Sequence, residues 1–190
     1  VATPHKNHVA CFWRHTRGSG VLWSVYDGTA WSPPSEVTPL TREDMDGAYR
    51  GTMSAITKGN GEVFFTATGL NTVLHWDGKS WSASPLQCED GGMLSLAGDI
   101  VTLFTAGKVN RRWKNLDWSR RTTLRYYRRS EAGQWEGPEN LTSEFNLHEY
   151  RSLAGFSVPP YAPVSFVPLV WSDMDEGTVK LLRVPIRSVP

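Results

Sequence analysis

One short turn written twice constrains this chain more than any other feature. Tyr26-Asp27-Gly28-Thr29-Ala30-Trp31 returns as Trp76-Asp77-Gly78-Lys79-Ser80-Trp81. Alternating apolar residues lead into each copy (Val21, Trp23, Val25; Val73, His75), and Asp-Gly supplies the backbone of a tight hairpin because glycine accepts positive φ without a Cβ clash. Each copy therefore reads as strand, turn, strand. A weaker third copy runs from Leu124-Arg125-Tyr126-Tyr127 through Gly133-Gln134-Trp135-Glu136-Gly137-Pro138, with the aspartate lost and the turn shifted by one residue. The intervals from Trp31 to Trp81 and from Trp81 to Trp135 are 50 and 54 residues. At that period each short-stranded unit leaves an apolar face that only a neighbouring unit can bury.

Nothing in the 190 residues argues for helix. No stretch of about twelve residues carries apolar positions at i, i+3, i+4, i+7, whereas period-two runs recur, so the chain reads as all-β. Nine Trp, six Tyr and seven Phe fit such a scaffold as filling between sheets. Four units follow, at about 1–39, 40–90, 91–145 and 146–190, within a single domain. The first has strands at His8–His15, Val21–Tyr26 and Trp31–Val37, with Val1–Thr3 as a short extra piece. The second has Thr52–Thr57, Glu62–Thr68 and the two hairpin strands. The third has Met93–Ala97, Ile100–Ala106, Thr122–Tyr127 and Trp135–Leu141, with an insertion at Gly107–Arg121. The fourth has Leu153–Val158, Phe166–Trp171 and Val179–Ile186, with no further strand expected.

Four short-stranded units of this period predict a β-propeller with about four recognisable blades, either a closed four-bladed ring or part of a larger one. Closure removes exposed sheet edges, and a second chain or a homo-oligomer would serve equally. The pattern of strand, Asp-Gly-x-x-Trp and strand resembles the blades of sugar-recognising propellers, both the fungal fucose-lectin type and the sialidase-like type. The resemblance covers about three of the four units and implies architecture together with carbohydrate ligands. It carries over no binding residues: the sialidase-type box has a residue between Asp and Gly, and Leu22-Trp23-Ser24-Val25 and Val73-Leu74-His75 stand where the fucose-lectin type places Arg and Glu.

Three constellations bear on chemistry. Tyr49-Arg50 precedes the first strand of unit two and Tyr150-Arg151 that of unit four, 101 residues apart, or two blades. Guanidinium forks at one channel rim would grip a carboxylate bidentately while phenols stack on a sugar; structural pairing with backbone carbonyls is the competing reading. Acids and a histidine gather at the same entrances: Glu43, Asp44, Asp46, Glu89, Asp90, Glu144, His148 and Glu149. His148, Glu149 and Tyr150 are the catalytic candidates for glycoside hydrolysis or lyase chemistry, against simple solvation of acidic loops.

The third constellation is basic. Between Lys108 and Arg129 lie nine Lys and Arg against Asp117 alone, within a chain of net charge +1. Arg111, Arg112, Trp113, Arg120 and Arg121 are its ligand-binding candidates, because guanidinium groups interleaved with aromatics suit an anionic polysaccharide and, less well, a nucleic acid. Pairing of these charges with the acidic remainder is the alternative.

The sequence has no phosphate-binding glycine loop, no Cys-x-x-Cys and no His-Glu-x-x-His, and it points to no metal or cofactor. Cys11 and Cys88 form either one disulfide or two free thiols. Asp173, Asp175 and Glu176 are the oxygen-rich cluster closest to a calcium loop, but Gly177 suits a simple turn better. No membrane-spanning run is present, and Asn140-Leu141-Thr142 is a glycosylation-type sequon that fits secretion. The resulting expectation is a secreted carbohydrate-binding propeller for an acidic glycan. A polysaccharide lyase or glycoside hydrolase and a protein-interaction scaffold are the alternatives.

Overall fold

A computed structural model describes residues 1–5, 8–14, 20–38, 40, 53–67, 70–84, 86, 92–107, 119–148, 156–163 and 165–186. These residues form eighteen strands and no helix. The first sheet is an antiparallel meander of β1 (Ala2–His5), β2 (His8–Arg14), β3 (Val21–Tyr26) and β4 (Ser35–Glu36). The second repeats that order with β5 (Met53–Thr57), β6 (Val63–Ala67), β7 (Leu74–Trp76) and β8 (Trp81–Ala83). The third is built from β9 (Met93–Ala97), β10 (Ile100–Ala106), β12 (Leu124–Arg129) and β13 (Trp135–Asn140), and β16 (Tyr161–Ala162) adds to it in parallel beside β9.

The hairpin turns are alike at atomic detail. Asp27 Oδ1 accepts the backbone N–H groups of Thr29 and Ala30, each at 2.8 Å, and Asp77 Oδ1 accepts those of Lys79 and Ser80 at 2.8 and 2.9 Å. Those donors hold both carboxylates below the usual range, Ala30 and Ser80 being the leading causes. Gly28 and Gly78 follow at φ 95° and 99°. In the third copy the Ser130 hydroxyl takes the aspartate's place and accepts the Gln134 N–H at 3.1 Å.

Where the strands differ from expectation, local chemistry explains it. The return from Trp31 narrows to a single bridge with Tyr26 and then Ser35–Glu36, because Pro33 and Pro34 have no N–H to give the ladder. The expected strand Thr122–Tyr127 divides at Thr123 into β11 (Ser119–Thr122) and β12. The Thr122 hydroxyl donates to the Gly107 carbonyl and the Gly107 N–H to that of Thr123, so the chain leaves one sheet and enters another there.

The fourth sheet departs furthest from a self-contained unit. β17 (Phe166–Asp173) pairs along its length with β18 (Thr178–Pro185), and on its other side with β15 (Phe156–Ser157) and β14 (Phe145–His148). β11, from the expected insertion, completes it by pairing with β14. The turn from β17 to β18 is a simple turn: Asp173 Oδ1 accepts the N–H groups of Asp175 and Glu176, and Lys180 binds Asp173 at 3.0 Å and Glu176 at 2.6 Å. Burial pushes the Asp173 carboxyl up, but hydrogen bonds from Lys180 and the two backbone groups outweigh it and leave the pKa lowered.

Three apolar clusters join successive sheets. Ala10, Phe12, Val21 and Trp23 of the first sheet meet Phe65 and Leu74 of the second. Ile56, Phe64 and Val73 on the second sheet's other face meet Leu94, Leu103 and Tyr127 of the third. Phe104, Leu124 and Tyr126 then meet Leu147, Leu169 and Trp171 of the fourth. Because successive side chains alternate across a strand, the middle sheets are apolar on both faces, as sheets covered on both sides must be. The first strands of the first three sheets run side by side and carry small residues (Thr3, Ser54, Ala55, Ser95, Ala97), and the Leu94 N–H donates to Ser54 Oγ at 2.9 Å. Tyr161 pins them, its hydroxyl 2.8 Å from Thr3 Oγ1 and 3.4 Å from the Thr57 N–H it accepts.

Candidate functional site

A cleft of about 240 Å³ opens where the outer part of the third sheet meets the fourth, lined by Tyr126, Arg128, Glu136, Gly137, Glu139, Leu141, Val184 and Pro185. Its shape comes from a register shift. Tyr126 stands opposite Glu139 and Arg128 opposite Glu136, so β13 carries one more residue between its pairs than β12 does. The extra residue falls at Gly137-Pro138, where proline gives no ladder hydrogen bond and the peptide is cis. Gly137 is at φ 122°, and a Cβ there would lie 2.8 Å from the Tyr126 carbonyl oxygen, so the bulge requires glycine.

The polar groups of the cleft are arranged around Tyr126. Its ring packs on Phe104 at 5.3 Å between centroids, and the residue is 6 % exposed. Its hydroxyl is buried, yet no donor or acceptor among the described residues engages it. Burial raises the phenol pKa, with Arg128 opposing and Glu139 and Glu136 adding to the rise, so the group is a neutral O–H at physiological pH. Arg128 Nε donates to Glu136 Oε2, which orients both side chains along one wall. Glu139 is exposed on the rim, while Leu141, Val184 and Pro185 make the apolar side. A phenol, an exposed rim carboxylate, an oriented ion pair and an apolar wall thus stand together in one small space, able to exchange hydrogen bonds beside an apolar surface.

Of the residues expected from sequence, Tyr49, Arg50, Arg111, Arg112, Trp113, Glu149, Tyr150 and Arg151 lie outside the described residues, as does Cys88. Cys11 is a free thiol. Arg120, Arg121 and His148 are described through their backbone: β11 and β14 pair with Ser119 opposite His148, Arg120 opposite Leu147 and Arg121 opposite Asn146. The end of the expected insertion and the entrance to the fourth unit are therefore neighbours on one sheet, a juxtaposition their 27-residue separation hides. No group of three or more possible metal ligands occurs among the described residues.

Tyr126 and Arg128 belong to the basic aromatic run legible in the sequence, whereas Glu136, Glu139 and Val184 lie outside it. The available signal was Glu136-Gly137-Pro138-Glu139 inside a strand, since Gly and Pro there mark a bulge. No family model matches the chain, and a search of curated proteins gives no match.

Proposed function

We propose that the chain is a carbohydrate-binding protein built on a propeller plan, with the cleft between the third and fourth sheets as its sugar site. The observation that carries this reading is the Tyr126 hydroxyl, desolvated and unsatisfied among the described residues at the wall of an otherwise formed cleft. An unmade buried hydrogen bond costs about 1–3 kcal/mol, which a ligand hydroxyl or carbonyl would recover once a shift of the Tyr126 side chain brings the hydroxyl to the cleft surface. The propeller plan draws support from the Asp-turn hairpins, the adjoining small-residue first strands and the face-to-face stacking of sheets. Within the cleft, the engagement of Glu136 with Arg128 favours recognition over catalysis, since it makes Glu136 an orienting carboxylate instead of a mobile acid. The glycan is anionic in this reading because the run Lys108–Arg129, with nine basic residues and one acidic, adjoins the fourth sheet through β11; the cleft itself, with Glu136 and Glu139 against Arg128, takes an uncharged ring of that glycan.

A glycan array read at two salt concentrations, with wild type and Glu139→Ala, tests the proposal. Wild type is expected to retain a restricted set of glycans, more strongly at low salt. Glu139→Ala should lower binding at both salt concentrations, because a rim acceptor for ligand hydroxyls is lost, while the steepness of the salt dependence, set by the basic run, is kept. Absence of glycan binding by the wild type at both salt concentrations would refute the reading.

A further inference from the structure

Trp31, Trp81 and Trp135 follow the turns of the first three sheets and stand opposite Tyr26, Trp76 and Arg129, so each occupies the same place in its sheet. In the second and third sheets that place serves inter-sheet packing. Trp81 lies edge-on to Trp23 at 5.2 Å and to Phe12 at 6.1 Å, both of the first sheet. Trp135 packs against the cluster between the second and third sheets, and its partner Arg129 sits 5.1 Å over the Phe64 ring. Trp31 instead is 54 % exposed, its ring 5.3 Å from Tyr26. Val9, opposite Tyr26, is exposed on the same face, and Cys11, Trp13 and Leu22 continue that face half-buried. The first sheet thus presents a sheet-packing face with no sheet on it among the described residues.

The fourth sheet presents a second apolar face with no sheet on it among the described residues. Its inner face, Val167, Leu169, Trp171 and Val184, is buried against the third sheet. Its outer face carries Phe166, Pro168 and Val170 beside Leu181 and Val179, the last two 63 % and 74 % exposed. No apolar cluster among the described residues joins the fourth sheet to the first.

We propose that the two faces form one interface between copies of this chain: the Trp31 face of one copy seats on the Val179–Leu181 face of another, head to tail. Charge favours this pairing over a symmetric one. Glu36 stands opposite Leu22 on the first face, and Arg183 stands opposite Pro168 on the second. Like faces together would set Glu36 near Glu36 or Arg183 near Arg183, whereas unlike faces bring opposite charges to one apolar contact. A contact between two different faces leaves one of each free on a dimer, so it continues until a ring closes or a filament grows. The inference stands independently of whether the cleft binds a sugar.

Sedimentation of the full chain across a range of concentrations, for wild type, Trp31→Asp and Leu181→Asp, tests it. Wild type is expected to associate beyond its 21.3 kDa chain mass as concentration rises. Each variant alone should sediment as a monomer with an unchanged circular dichroism spectrum, because both side chains are exposed in the single chain. Mixed together, the variants retain one intact face each, so they should form a dimer and nothing larger. A wild type monomeric at every concentration, a variant that associates by itself, or a mixture that stays monomeric overturns the proposal. So does a monomer whose tryptophan fluorescence responds to a glycan in the wild type and not in Trp31→Asp, which would make this face a stacking platform for sugar.

Discussion

Replacing Tyr126 with Phe removes one oxygen atom and is expected to move stability and binding in opposite directions. The ring keeps its packing on Phe104, since the shapes differ only at the hydroxyl. That hydroxyl is buried and has no partner among the described residues, so its removal relieves a desolvation cost without breaking a bond. An unsatisfied buried donor costs about 1–3 kcal/mol; the position at a cleft wall argues for the lower end, about 1 kcal/mol gained. For a domain of this size that raises Tm by roughly 2–4 °C. The same change deprives a bound sugar of one hydrogen bond, worth about 0.5–1.5 kcal/mol, so affinity should fall about twofold to twelvefold. Thermal unfolding by circular dichroism and titration calorimetry with the glycan selected on the array measure the two effects. A fall in Tm would mean that the hydroxyl already has a structural partner, and unchanged affinity would mean that the ligand does not reach it. Either result refutes the reasoning.

Gly137→Ala should destabilise the chain by about 1–3 kcal/mol and weaken glycan binding, because its Cβ would meet the Tyr126 carbonyl and hold a side chain at positive φ; denaturant unfolding reads the first effect and calorimetry the second. His75 stacks on Phe64 at 4.5 Å, and desolvation, then Arg129, lowers its pKa against the opposing pull of Glu62 and Asp77. Its unfolded form therefore binds a proton first as pH falls below about 6.5, and folding stability should decline from there toward the lower folded pKa. His75→Gln should flatten that decline in urea unfolding followed between pH 7.5 and 5 (roughly the histidine window), and an unaltered slope would show that His75 does not cause it.

The all-β character, the hairpin turns and the strands of the second sheet were legible in the sequence because each rests on local chemistry. Asp27 and Asp77 cap backbone groups two and three residues away, Gly28 and Gly78 supply positive φ, and short, mostly apolar runs bounded by turn residues mark β6 and β10. Such signals act within one turn or one strand and survive without knowledge of the rest of the chain. Which edge each strand joins is a different kind of fact. β11 and β14 look like the end of an insertion and the end of a unit, yet they pair with each other in the fourth sheet, and β16 runs parallel to β9 across 65 residues. Strand pairing is chosen by which apolar faces are left to cover, so tertiary packing selects among partners that local sequence leaves equivalent. The cleft shows the same division. Its bulge is written in Gly137-Pro138, but the meeting of Tyr126, Glu139 and Val184 exists only once the fourth sheet lies on the third.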